Sequence, residues 1–124
     1  MIKLDSFEQS LLAGWEDIHK KSQLTLWVFL ALKDGPKHMA LIKTFIADTS
    51  NGNMSVDDQS MYRALRRFKE GRMVDFTLRV GKGGPDLKQY YLTSTGRTVL
   101  ETFIDRQVSM FYSEPIQSLV KGEK

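Results

Sequence analysis

Apolar and polar positions follow two different patterns in the first third of the chain. The sequence Asp5-Ser6-Phe7-Glu8 has the form of a helix capping box, and apolar residues then recur at spacings of three and four. The stripe predicts an amphipathic helix over about 5–20, and its members are Leu4, Phe7, Leu11, Trp15 and Ile18. From Gln23 to Lys33 nearly every position is apolar, so we expect a second helix that is buried on most sides. Asp34-Gly35-Pro36 should end it.

Two further helices are predicted in the middle of the chain. The third covers about 37–49 and has one apolar face, formed by Met39, Leu41, Ile42, Phe45 and Ile46. Ser55-Val56-Asp57-Asp58 has the Ser-x-x-Asp form of a helix start and predicts a fourth helix over about 57–71, which Gly71 ends. Four residues of this helix fall within one arc of about 120° that should face the core: Met61, Tyr62, Leu65 and Phe68.

The hydrophobic period changes after Gly71. A half-buried strand is predicted by the alternation of polar residues or glycine with Val74, Phe76, Leu78 and Val80. The glycine-rich segment 81–86 indicates a turn, and residues 89–93 are predicted to form the return strand of a hairpin. Thr93 should cap a final helix over about 94–113, which gives way to a frayed end after Pro115. The predicted fold is mainly α with a small β-hairpin (α+β), in one domain over 1–124.

Composition narrows the class of protein. Hydrophobic residues make up 41% and charged residues 27% of the 124 residues, as in soluble globular domains. The chain has no cysteine, which excludes a disulfide framework and thiolate metal sites. No apolar run reaches the roughly 18 residues of a membrane span, and the N-terminus lacks the apolar core of a signal peptide. We therefore expect a cytoplasmic protein without membrane association.

Positive charge is concentrated in the fourth predicted helix. The chain carries +3 in total, but residues 59–72 contain five basic groups against the single acid Glu70, a net charge of +4. The remainder of the chain is therefore slightly acidic. A basic cluster on one element, within a nearly neutral chain, is the pattern expected of a nucleic-acid contact surface.

The polar side of this helix carries groups that read DNA. Arginine can bind guanine with two hydrogen bonds and glutamine can bind adenine, and both also bind phosphates. The side chains expected opposite the apolar arc are Gln59, Ser60, Arg63, Arg66 and Arg67. The alternative is a solvated charged face, but such faces usually mix acids with bases. In the hairpin, Lys82 and Lys88 are candidate phosphate contacts, or alternatively ordinary residues of a glycine-rich loop.

Catalytic and metal-binding patterns are missing from the sequence. His19 and His38 lie far apart without metal-ligand spacing, and no Gly-x-Ser-x-Gly elbow is present. The acids Asp57 and Asp58 are explained by helix capping. Gly81-Lys82-Gly83-Gly84 leads into a strand and not into a helix, unlike a phosphate-binding loop. We expect no enzyme activity, no metal and no cofactor.

The terminal helices carry more apolar surface than one small domain needs. Two such helices from each of two subunits can bury one another across a two-fold axis, so we predict a homodimer. The alternative is that both helices fold back on their own domain. The predicted interface residues are Phe7, Leu11 and Trp15 in the first helix, and Leu100, Phe103, Ile104 and Phe111 in the last.

Four segments, in order and at matching separations, resemble signatures of the PadR family of transcriptional regulators. They are Asp34-Gly35-Pro36-Lys37-His38, Ser60 to Phe68 with its Tyr-x-Ala-Leu centre, Gly71-Arg72-Met73-Val74, and Gly84 to Arg97. The resemblance extends from about Leu24 to Arg106. It implies a winged helix-turn-helix core over about 22–93, flanked by an N-terminal helix (5–20) and a C-terminal dimerisation helix (94–113).

That resemblance also implies a function. Family members are homodimers that bind pseudo-palindromic operators in double-stranded DNA, usually as repressors, and a small aromatic effector often releases them. Arg63, Arg66 and Arg67 would enter the major groove, Lys82 and Lys88 would contact phosphates, and Tyr62 and Tyr91 would be core or interface residues.

Some positions depart from the family pattern. Met39-Ala40 replaces the usual Gly-Tyr, and Arg63 replaces a proline. The last helix lacks the tryptophan that stacks on ligands in some members, which leaves Trp15, Phe103 or Phe111 to line an effector pocket. The alternative function is a winged-helix module that binds a protein and not DNA, since a fold does not fix a function.

Overall fold

A computed structural model describes residues 2–122. It contains helices α1 (Ser6–Lys33), α2 (Met39–Thr49) and α3 (Asp58–Glu70), then strands β1 (Val74–Arg79) and β2 (Leu87–Leu92) and helix α4 (Ser94–Phe103). A π-helical segment (Ile104–Val108), a 3₁₀ segment (Ser109–Tyr112) and helix α5 (Ile116–Val120) follow. The mainly α fold with a two-stranded hairpin is confirmed. No helix within residues 2–122 is both long and apolar enough to cross a bilayer.

Helix α1 begins as predicted but does not break where predicted. The Asp5 carboxylate accepts the Glu8 N–H at 2.8 Å, and the Glu8 carboxylate accepts the Asp5 N–H at 3.1 Å. The predicted division into two helices near residues 20–23 is wrong, since the helix is continuous to Lys33. The segment 20–23 contains neither glycine nor proline, so nothing in it interrupts the helical hydrogen bonds. The change in pattern marks where α1 enters the core.

The core surrounds the C-terminal half of α1. Its buried side chains include Val28, Phe29, Leu32, Ile42, Ile46, Met61, Leu65, Phe68, Val74, Leu92 and Leu100. The edge of the Phe29 ring meets Phe68 with the ring centres 4.9 Å apart, which joins α1 to α3. Every residue from Ser6 to Ser22, in contrast, is exposed. More than half of α1 therefore extends beyond the core.

Two residues of the predicted apolar faces of α2 and α3 are exposed. Tyr62 has 55% of its surface exposed, and Leu41 in α2 has a similar fraction. In α3 the fully buried residues are Met61, Ala64, Leu65 and Phe68. The buried arc is therefore centred between Ala64 and Leu65. Tyr62 lies about 100° around the helix axis from Met61, outside that arc.

Helix α3 is capped by a different residue from the one predicted. The carboxylate of Asp57, and not the Ser55 side chain, accepts the Ser60 N–H at 2.8 Å. Thr93 caps α4 as expected, because its hydroxyl accepts the Gly96 N–H at 3.0 Å. The final helix is shorter than predicted, since regular α-helix ends at Phe103. The short helix α5 replaces part of the expected frayed end, while Glu123 and Lys124 lie outside the described residues.

The hairpin is buried only at its base. The strands are antiparallel, with Val74 opposite Leu92 and Arg79 opposite Leu87. Burial ends after Phe76, so the prediction of a half-buried strand holds only for its first residues: Leu78 is 63% and Val80 is 89% exposed. The hairpin therefore projects past the helices that cover its base. Backbone hydrogen bonds of 2.9 and 3.0 Å between Lys37 and Tyr90 also tie β2 to the α1–α2 connection.

Candidate nucleic-acid interface

Helix α3 is held so that one face is free. Its N-terminal end contacts α2 through an ion pair between Lys43 and Asp58, and its apolar face lies in the core. The residues exposed on this helix include Gln59, Arg63, Arg66 and Arg67, as predicted from the helical spacing. Ser60 differs, because it is half-buried and its hydroxyl donates to the Asp57 carboxylate at 2.9 Å.

The Asp57 cap also has an electrostatic consequence. The Ser60 backbone N–H that donates to it lowers the pKa of the Asp57 carboxyl, and the Ser60 hydroxyl lowers it further. Hydrogen bonds to a carboxylate favour its charged form. The first turn of α3 therefore stays fixed and negatively charged at neutral pH, while the arginines follow from the second turn onwards.

The three arginines differ in their surroundings. Arg66 forms an ion pair of 3.6 Å with Glu70, in which both side chains are largely exposed. Such a pair is weak, so the Arg66 guanidinium can leave it for another anion. The Arg67 guanidinium lies 5.2 Å from the centre of the Phe68 ring. Arg63 has no ion-pair partner within residues 2–122.

The hairpin lysines occupy two different positions. Lys82 is exposed in the turn. Lys88 lies in β2, and its ammonium nitrogen is 4.8 Å from the centre of the Phe76 ring and 5.9 Å from that of Tyr62. The structure therefore brings Lys88 against α3, which the sequence alone did not predict.

Two residues at this junction were missed by the sequence reasoning. The Lys69 ammonium lies 5.4 Å from the centre of the Phe76 ring and 3.6 Å from the Asp75 carboxylate. Tyr62, expected in the core, is exposed beside Lys88. Tyr62, Arg66 and Lys69 are spaced i, i+4, i+7, so they share one side of α3. That spacing could have identified them once the hairpin was expected to pack there.

A second candidate surface is formed by α1 and the C-terminal part of the fold. An open groove of about 1100 Å³ runs between α1 and the C-terminal helical segments; it is lined by residues such as Trp27, Leu30, Val99, Phe103 and Phe111. Trp27 was expected in the core, but it is only half-buried and contributes to the groove.

The residues predicted at a dimer interface fall into three groups. Phe7, Leu11 and Trp15 are exposed on the projecting half of α1, and Phe103 and Phe111 line the groove. Ile104 is half-buried against the protomer's own core. Leu100 is only 2% exposed, so its assignment to the interface is wrong. It occupies the core because it lies one turn after Gly96, on the side of α4 that faces the base of the hairpin.

No cluster of three or more potential metal ligands occurs among residues 2–122. His38 is the N-terminal cap residue of α2, and His19 lies at the groove beside α1. The two histidines therefore belong to different surfaces.

Two helices joined by a turn, the second with an exposed basic face, and a basic antiparallel hairpin that follows it define a winged helix-turn-helix protein. The chain matches the family model "Transcriptional regulator PadR-like family" over residues 28–102. That match covers more than half of the sequence, and the chain belongs to the PadR-like family of transcriptional regulators.

Solved structures show the same fold. A PadR family transcriptional regulator from Eggerthella lenta superposes with a TM-score of 0.71 at 16% identity, over 90% of this chain and 94% of that one. A PadR-like transcription factor from Bacteroides fragilis gives 0.65 at 18% identity, over 90% and 99% of the two chains. PadR from Bacillus subtilis, solved with operator DNA, gives 0.62 at 18% identity, over 68% and 48%. No protein with a curated description matches this sequence.

Proposed function

We propose that this protein is a transcriptional repressor that binds a specific sequence in double-stranded DNA as a homodimer. The observation that carries the proposal is the exposed row of Gln59, Arg63, Arg66 and Arg67 on α3, a helix whose opposite face is fixed in the core. A rigid helix with guanidinium groups on one side has the shape and chemistry to enter the major groove. Because the proposed ligand is genomic DNA, we expect the protein to act in the cytoplasm.

We assign different DNA contacts to helix α3 and to the hairpin. We assign Arg63, Arg66 and Arg67, with Gln59, to base edges and adjacent phosphates in the major groove. Ser60 donates both its backbone N–H and its hydroxyl proton to Asp57, so we assign its hydroxyl oxygen only as an acceptor for a base amino group. Lys82 and Lys88 in the hairpin are assigned to the phosphate backbone, where they position the protein without reading sequence.

The projecting half of α1 supports the homodimer. Residues 6–22 are all exposed, although they carry a continuous apolar stripe. Trp15, within that stripe, has 74% of its surface in solvent. A helix of this length without tertiary contacts is only marginally stable in water. The groove between α1 and the C-terminal segments has the apolar lining that such a stripe would cover. We therefore place Phe7, Leu11 and Trp15 of one subunit against Phe103, Phe111 and Ile104 of the other.

The dimer groove is also where we place an effector. Aromatic side chains from both α1 and the C-terminal segments line it, among them Trp27, Phe103 and Phe111. A flat aromatic compound held there would contact both interface elements and change the spacing of the two α3 helices. Titration with a library of small aromatic compounds should quench Trp27 fluorescence, and a Trp27→Phe variant should lose that signal. No response to any compound would contradict the effector site.

Selection of duplexes from a random DNA library at about 150 mM salt tests DNA recognition. We expect a palindromic motif with half-sites about one helical turn apart. Arg63→Ala and Arg67→Ala should each weaken binding by about 1–3 kcal/mol and relax the preference at one position, whereas Lys20→Ala on α1 is the control for loss of positive charge. No enriched sequence, with an affinity independent of salt, would favour the alternative of a protein-binding module.

Sedimentation equilibrium tests the dimer. Trp15→Glu places a charge in the apolar stripe and should convert the protein to a monomer at micromolar concentration. Ala13→Glu adds the same charge on the opposite side of α1 and should leave the mass unchanged. A wild-type protein that sediments as a monomer would refute the homodimer.

A further inference from the structure

A small pocket lies at the seam between α3 and the hairpin. It has a volume of about 270 Å³, and its walls combine three cationic side chains with three aromatic ones: Arg66, Lys69, Lys88, Tyr62, Phe76 and Tyr90. The cations come from both elements, two from α3 and one from β2. The pocket is therefore complete only when the hairpin packs against the helix.

The two lysines are held without using up their hydrogen-bond donors. Their ammonium nitrogens lie 4.8 Å (Lys88) and 5.4 Å (Lys69) from the centre of the same Phe76 ring. An aromatic face attracts a cation but accepts its N–H groups only weakly. Lys88 has no hydrogen-bond or ion-pair partner within residues 2–122. Its three N–H donors are thus available to an anionic oxygen.

The acids near the pocket do not neutralise it. Asp75 is 3.6 Å from Lys69 and Glu70 is 3.6 Å from Arg66, and all four side chains are close to half or more exposed. Both pairs are too long for strong charge-assisted hydrogen bonds, which are about 2.7–2.9 Å. The three cations exceed the two acids by one charge, and neither acid faces Lys88 as an ion-pair partner.

The phenol groups add neutral donors. Burial raises the pKa of Tyr90, and the neighbouring Tyr62 raises it further, so Tyr90 keeps its proton at neutral pH. Tyr62 is largely exposed at the mouth of the pocket. An oxyanion that enters would therefore meet ammonium and phenol donors above an aromatic floor.

We propose that this pocket binds one phosphate group of the DNA backbone, and that Tyr62 and Lys69 are DNA-contacting residues together with Lys88. The inference rests on the proposed function. If α3 lies in the major groove and the hairpin follows the adjoining backbone, one strand must cross the seam between them. The seam is where the structure places these donors. A phosphate seated there fixes the angle between helix and hairpin on the DNA.

Replacing the charged phosphates of the DNA backbone one at a time tests the proposed phosphate site. In the duplex recovered by selection, each phosphate in turn is replaced by an uncharged methylphosphonate, and binding is measured for the wild type and for a Lys69→Gln/Lys88→Met variant. Each position that contacts a cation should weaken the wild type about fivefold at 0.15 M salt, because one counterion fewer is released. At one of these positions in each half-site the variant should lose little more affinity, since two changes to the same contact are not additive.

Salt titrations supply the second readout. Lys69→Gln and Lys88→Met should each reduce the slope of log affinity against log salt by up to about 0.9, the value for one phosphate. Lys69→Arg and Lys88→Arg should restore it, and Lys21→Gln on α1 is the control for an equal loss of charge. Tyr62→Phe should weaken binding to specific and random duplexes by the same factor, about threefold.

The outcomes separate the two proposals. If the wild type binds DNA, but no phosphate position couples to the variants and the salt slope is unchanged, the phosphate site is wrong. The same holds if the variants lower only the melting temperature, because the cations then serve only to fasten the hairpin to α3. If the wild type binds no duplex in a salt-dependent way, the proposed function itself is wrong, and the phosphate site with it.

Discussion

Gly96 marks the closest approach between α4 and the turn that precedes β1. A Cβ atom at this position would lie 2.0 Å from the Met73 carbonyl oxygen and 3.0 Å from its carbonyl carbon. The same turn is joined to α4 by Thr93, whose N–H donates to Met73 O at 3.1 Å and whose hydroxyl donates to Arg72 O at 2.7 Å. Gly96→Ala therefore pushes apart two backbones that the Thr93 hydrogen bonds hold together.

The cost can be worked out from these distances. Carbon and oxygen atoms approach to about 3.3 Å at closest, so the two backbones must separate by about 1 Å or more. Overpacking of this kind costs about 1–3 kcal/mol, and stretching the Thr93 hydrogen bonds adds about 1 kcal/mol. The higher helix propensity of alanine offsets at most about 1 kcal/mol of this destabilisation. The cost of the clash exceeds the gain in helix propensity, and we expect Gly96→Ala to reduce the free energy of unfolding by about 1–3 kcal/mol.

Thermal and urea unfolding measure this change. For a chain of this length, a loss of that size corresponds to about 10 °C in melting temperature. Protein concentration must be equal in all samples, because dimerisation would couple to stability. Gly84→Ala is the matched control: a Cβ there meets no atom within 4 Å, and the backbone does not need a positive φ. If Gly96→Ala is as stable as the wild type, the reasoning from close backbone contact fails.

Three other substitutions test separate features. Asp57→Asn keeps the cap but removes its charge. The pKa of Asp57 in the folded protein lies below its ordinary value near 3.8. The wild type should therefore be more stable than the variant above that pH, and should lose this extra stability as the pH falls through the folded pKa. Equal urea midpoints at pH 6 would contradict this. The Lys37 ammonium, whose side chain is 12% exposed, donates to Ala31 O at 2.7 Å and to the Asp34 carboxylate at 2.8 Å, at the C-terminal end of α1. Lys37→Met removes these hydrogen bonds and should lower the free energy of unfolding in urea by about 1.5–3 kcal/mol. An unchanged midpoint would show that the end of α1 does not need the Lys37 ammonium. Thr93→Val should cost about 1 kcal/mol by calorimetry, because the α4 cap is lost, and a melting temperature equal to that of the wild type would rule out that contribution.

Local sequence signals determined the element types and much of the DNA-facing surface. The capping box at Asp5, the cap at Thr93 and the change of period after Gly71 depend on neighbouring residues only, and all three appear in the structure. The exposed arginines of α3 follow from the helical period, since a residue opposite a buried arc must face solvent. These features could be predicted because their physical causes act over a few residues.

Other features depend on what packs against an element, and only the tertiary structure decided them. The joining of two differently patterned stretches into α1, the burial of Leu100 and the exposure of Tyr62 depend on how far the core extends. The contact of Lys69 and Lys88 with one Phe76 ring joins residues from a helix and a strand. A periodicity gives the direction of a side chain about its own axis, but not which neighbour it meets. That is why the sequence determined the arginine face, and the fold decided the pocket beside it.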